Sequence, residues 1–97
     1  MGNVGAREFL AYIGANVHRA RIRLGMTQEA LAEAAGMDLR FLQRVERGRT
    51  NISVVFVVAL AQALDVSPGT LFNRAVMPPP TRGRPSGRGK AAAKKRT

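Results

Sequence analysis

Two stretches of the chain begin on a residue suited to cap a helix and end on glycine about ten positions later: Thr27 to Gly36, and Asp38 to Gly48. A capping oxygen satisfies a first-turn N–H that has no partner within the helix, and glycine adopts the left-handed conformation that stops one. The spacing therefore predicts a helix over about 27–35 with Leu31 and Ala34 facing inward. A second follows over about 38–47 and buries Leu42 and Val45. Helices this short are marginal in water on their own. They must fold against one another across a three-residue turn, under the cover of the rest of the chain.

That cover is readable from periodicity. Phe9, Ile13, Val17, Ala20 and Leu24 recur at helical spacing and predict a first helix over about 7–24, ended by Gly25. Asn51 or Ser53 can cap a fourth helix through Leu64. Its run Val54-Val55-Phe56-Val57-Val58 is β-branched, but Val54, Val57, Leu60, Ala61 and Leu64 hold a helical period. Ser67 before Pro68 predicts a short fifth helix near Thr70, Leu71 and Phe72. The expected fold is all-α, with five helices, and the two central ones have helix-turn-helix spacing. The division expected is a flexible N-terminus over 1–6, the domain over 7–76, and a Pro-rich linker with a disordered basic tail over 77–97.

Charge narrows the partners. Of the net +10, residues 1–76 carry nine arginines against six acids, whereas 77–97 carry seven Lys or Arg and no acid. Such asymmetry favours nucleic acid. No apolar run is long enough to span a bilayer, so no membrane role is expected. The absence of cysteine removes disulfides and thiolate metal sites and points to a reducing cytoplasm, where a nucleic-acid partner would place the chain on the nucleoid. An enzyme finds few parts, since the single histidine, His18, reads as a surface residue and no carboxylate pair has site spacing. No catalytic residue, metal or cofactor is implied.

Two groups of residues point to function. Arg21 lies on the inward stripe of the first helix, four positions after Val17, where an unpaired guanidinium would be costly. Glu46, four positions after Leu42, is the best partner for a bidentate pair. The outward face of the third helix offers Leu39, Arg40, Gln43 and Arg44, beside Arg47. Arginine can bond guanine O6 and N7 in the major groove, glutamine can read adenine, and Leu39 can pack on a thymine methyl. A solvated basic face explains the same pattern from this helix alone.

The stretch Asn16 to Ser53, "NVHRARIRLGMTQEALAEAAGMDLRFLQRVERGRTNIS", resembles the lambda-repressor-like (Cro/CI, XRE) helix-turn-helix family, and "ALAQALDVSPGTLF" resembles its usual ending. The resemblance implies a sequence-specific DNA-binding transcriptional regulator. It places base reading on Leu39, Arg40 and Arg44 with Gln43 beside them, and phosphate contacts on Thr27 and Gln28 and on the loop residues Arg47, Arg49, Thr50 and Asn51. It also implies the buried Arg21–Glu46 pair. "ERGRTNIS" is similar to the small restriction-modification controller proteins, which bind paired half-sites as homodimers. Val55, Phe56 and Ala59 stand where polar residues are common in the family, so an apolar outer face of the fourth helix is expected as a homodimer interface; alternatively Phe56 tucks back into the core. The length leaves no room for a ligand-sensing domain, so no small-molecule ligand is expected. The expected partners are double-stranded DNA and a second copy.

In the tail, Arg82-Gly83-Arg84-Pro85 resembles the AT-hook, whose Gly-Arg-Pro core lies in a narrow A·T minor groove; Arg88-Gly89-Lys90 is a partial second copy. A polycation that only adds phosphate contacts is the competing reading. Two other functions fit the same residues. One is the antitoxin of a toxin-antitoxin pair. The other is a nucleoid-type architectural protein that binds DNA broadly.

Overall fold

The computed structural model describes residues 5–78, and these form four α-helices and one 3-10 turn. Helix α1 spans Ala6–Arg23, α2 Gln28–Ala35, α3 Leu39–Glu46 and α4 Val54–Leu64. The caps anticipated from sequence form: Thr27 Oγ1 accepts from the Ala30 N–H (3.0 Å), and Asp38 Oδ2 from those of Arg40 (3.0 Å) and Phe41 (3.3 Å). Ser53, rather than Asn51, caps α4 through the Phe56 N–H at 3.2 Å. Between α2 and α3 the chain turns at Gly36 with φ of 69°.

The fifth helix of the sequence reading is not an α-helix. Pro68–Phe72 is a 3-10 turn. Its carbonyls are claimed from outside: the buried Asn16 amide donates to Leu71 O (3.0 Å) and Asn73 O (2.7 Å). Leu71 O is the acceptor that another α-helical turn would need, and Asn73 is extended. The turn instead plugs buried Leu71 into the core.

That core joins Val17 of α1, Leu31 of α2, Leu42 and Val45 of α3, Leu60 and Leu64 of α4, and Leu71. Helix α1 lies on α3 and on the 3-10 turn, while α2 packs against α3 and α4. Four assignments to the interior are corrected. Ala34 is exposed and Ala32 is buried in its place, because the turn of α2 that meets α4 uses Leu31 and Ala32. Val54 is 73% exposed, since the first turn of α4 projects beyond the core, which α4 joins at Val57. Phe9 and Leu24, near the two ends of α1, are only partly covered, at 39% and 49% exposed, for the same geometric reason.

The contact of α1 with α3 is unusually close. A Cβ on Gly14 would come 2.5 Å from Val45 O and 2.7 Å from Glu46 O. Both obstacles are backbone, so no side-chain rotation relieves them. Gly14→Ala must therefore push the helices apart, and it is expected to lower stability by about 1–3 kcal/mol in urea unfolding, the usual range for overpacking. An unchanged midpoint would contradict this packing.

Candidate nucleic-acid interface

The close approach at Gly14 sets Arg21 of α1 beside Glu46 of α3. Arg21 Nε donates to Glu46 Oε2 at 2.6 Å and Nη2 to Oε1 at 3.0 Å, while Nη1 donates to Met26 O at 2.9 Å. Each guanidinium nitrogen thus has an acceptor, which is what a buried charge requires. Glu46 Oε1 also accepts from Gln28 Nε2 at 3.1 Å, and His18 Nδ1 stands 3.2 Å from it. Burial pushes the Glu46 carboxyl up, but the hydrogen bonds of Arg21, Gln28 and His18, together with the Arg21 charge, outweigh it. Its pKa lies below the ordinary glutamate value of 4.5.

This cluster reaches the outer edge of α3. With its Nε2 committed to Glu46, Gln28 turns Oε1 outward, where Gln43 Nε2 donates to it at a long 3.4 Å. Gln28 and Gln43 are both half-buried, and Arg40 and Arg44 are exposed. The Arg44 guanidinium lies 5.7 Å from the Phe41 ring centre, and the Phe41 ring is 5.6 Å from that of Phe56. Stacking on an aromatic face restricts an otherwise free arginine. Leu39 is only half available, since it packs against the core. Thr27, Arg47, Arg49 and Asn51 are exposed and Thr50 is half-buried.

Several placements differ from the sequence reading. His18, read as a surface residue, is half-buried in the Arg21–Glu46 cluster. It lies three residues before Arg21, hence on the same helical face, and that spacing was available as a signal. Phe56 turns back onto Phe41 and Ala59 is half-buried, whereas Val55 is 75% exposed and continuous with Val54. Phe41 is the support that the sequence reading does not include, although its i, i+3 spacing to Arg44 marks it. Arg82, Gly83, Arg84, Pro85, Arg88 and Lys90 lie outside the described residues. No helix among the described residues is long and apolar enough to cross a membrane.

The sign of the Glu46 shift fixes a pH dependence. Because its folded pKa is depressed, the stabilisation is present above the unfolded value near 4.5 and is lost as pH falls through the lower folded value. Urea midpoints measured from pH 6 down to pH 3 are expected to fall most steeply below about 4.5 in the natural chain. Glu46→Gln should be less stable at pH 6 and show a shallower decline; parallel curves would contradict the assignment.

Comparison with known proteins agrees with this geometry. The helix-turn-helix family profile matches residues 17–71, more than half of the chain. An uncharacterized HTH-type transcriptional regulator of Sinorhizobium fredii, y4dJ, is 42% identical over 55 residues, covering 57% of this chain and 71% of that protein. Among solved structures, the restriction-modification controller protein C.AhdI of Aeromonas hydrophila aligns with a TM-score of 0.63 and 40% identity, over 65% of this chain and 96% of that one. The biofilm regulator SinR, in complex with DNA, aligns with a TM-score of 0.60 and 35% identity, over 63% of this chain and 98% of that one. These relatives are transcriptional regulators rather than enzymes. The chain belongs to the Cro/CI-like (XRE) helix-turn-helix family of DNA-binding transcriptional regulators.

Proposed function

We propose that this protein regulates transcription by placing α3 in the major groove of a pseudo-palindromic operator, one copy on each half-site. The carrying observation is the exposed edge of α3, where Arg40, Gln43 and Arg44 project together and two of them are braced: Gln43 through Gln28 to the buried Glu46, and Arg44 on Phe41. Braced side chains lose less entropy on binding than free ones, which favours reading over general attraction. Arg40 and Arg44 suit guanine. Gln43, with Oε1 and its second N–H free, suits the N6 and N7 edge of adenine. Leu39 contributes an apolar contact from its exposed side.

Around this edge, Thr27 and Gln28 at the start of α2 and Arg47, Arg49, Thr50 and Asn51 after α3 meet backbone phosphates, which set register rather than sequence. The exposed Val54–Val55 patch, with Ala59 at its margin, serves as the contact between two copies. Two-fold symmetry then spaces the half-sites about 34 Å apart, one turn of the duplex. The basic residues from Arg82 to Lys90 add phosphate or A·T minor-groove contacts beside the operator. Association with DNA would place the protein on the nucleoid of the cytoplasm.

The test is a mobility-shift series on an operator selected from random duplexes and on scrambled DNA. Arg44→Ala is expected to cost roughly 1–3 kcal/mol on the operator and relax preference at one base pair, with a smaller loss on scrambled DNA. Equal losses on both would remove Arg44 as a reader, and a wild-type chain with no operator preference would overturn the proposal.

A further inference from the structure

A second basic surface lies beyond α3, where the start of α1 meets the loop that follows α3. A cleft of about 840 Å³ opens there, lined by Arg7 and Leu10 of α1 and by Arg47, Arg49, Thr50 and Asn51, among others. Three arginines border it and no acid does; Glu8 is the neighbour of Arg7 in sequence but does not line the cleft. Among the described residues, none of the three arginines is held in an ion pair. Three exposed guanidinium groups around one opening raise the local positive potential and favour an anion there.

The position of Arg7 follows from backbone packing. A Cβ on Gly48 would come 2.9 Å from Ala11 Cα, so α1 rests directly on the loop at that point. Arg7 is one helical turn before Ala11 and on the same face. The contact that seats α1 therefore holds Arg7 over the loop, facing Arg47 and Arg49. The eight residues of α3 are about 12 Å long at 1.5 Å per residue, close to the width of the major groove. A helix lying in that groove brings the loop at its C-terminal end to the sugar-phosphate wall.

We infer that Arg7, with Arg47 and Arg49, forms a clamp for phosphodiesters of the DNA backbone, so that α1 joins the loop in gripping the strand beside the half-site. The inference rests on the proposed docking of α3 and adds a contact from a helix that the groove-reading edge does not include. Planar guanidinium groups converging from two elements suit a phosphate, which offers oxygens in several directions. Such a contact carries no sequence information, so Arg7 contributes to affinity and not to choice of operator.

The experiment measures binding of the full chain to the selected operator and to scrambled DNA between 50 and 200 mM salt. Variants are Arg7→Ala, Arg7→Lys and, as an equal charge change, Arg74→Ala. Arg74 lies beside Asn16, where α1 faces the 3-10 turn; Asn16 is two residues, about 200° around the helix, from Gly14, which meets α3. Arg7→Ala is expected to weaken binding to both DNAs alike and to reduce the slope of log affinity against log salt by about 0.9. Over that range its affinity falls by a factor about three- to fourfold smaller than the wild type's. Arg7→Lys should keep most of the slope, and Arg74→Ala should leave it unchanged.

A wild-type slope in Arg7→Ala, an equal effect of Arg74→Ala, or a loss confined to the operator would each overturn the clamp. Its failure is distinct from failure of the docking proposal. A chain that prefers its operator but ignores Arg7→Ala refutes only the clamp, whereas a chain without operator preference refutes the docking while the salt slope still judges Arg7. Because Arg7 is exposed, thermal melts of each variant are expected to match the wild type's; a lowered melt of Arg7→Ala would mark the residue as structural and overturn the clamp.

Discussion

Two opposite charges withdrawn from water at the seam of α1 and α3 are the point on which the remaining structure depends. Removing one member of such a pair leaves the other buried and unsatisfied, at a cost of about 3–5 kcal/mol. Arg21 and Glu46 avoid that penalty because the pair is bidentate and each guanidinium nitrogen has an acceptor. The arrangement requires the backbones to approach closely, and Gly14 permits it. Apolar packing alone could hold α1 near α3, but it would not fix the rotation of one helix about the other as a hydrogen-bonded pair does.

The same carboxylate links folding to the outer edge of α3. Glu46 Oε1 takes the Gln28 amide, which orients the opposite end of Gln28 toward Gln43. A residue in the core thereby helps decide which way the half-buried Gln43 presents its donor and acceptor. Phe56 acts comparably on the other side of the edge, since it supports Phe41, on which Arg44 stacks. The outer edge of α3, the proposed reading surface, is set by two half-buried contacts beside it, one polar and one aromatic.

Much of this was legible in the residues, because short-range rules decide it. Thr27, Asp38 and Gly36 mark the two central helices by cap chemistry, and the position of Arg21 on an apolar stripe demanded a carboxylate. What escaped depends on three-dimensional context. The chain after Ser67 looked like a helix start, yet the carbonyls it needed were claimed by Asn16, 55 and 57 residues away in sequence. Val54 keeps helical period with Val57, but periodicity cannot tell that the first turn of α4 overhangs the core. His18 and Phe41 lay at readable spacings from Arg21 and Arg44; their significance appears only once α1 and α3 are placed together.

Through Gln28, the buried Glu46 carboxylate orients the edge of α3 proposed to read DNA. A double-mutant cycle of Gln28→Ala and Gln43→Ala, read as operator affinity in variants with unchanged melting temperature, tests it most directly. The two losses are expected to combine non-additively by at least about 0.5 kcal/mol on the operator and additively on scrambled DNA. Additive losses on the operator would contradict it.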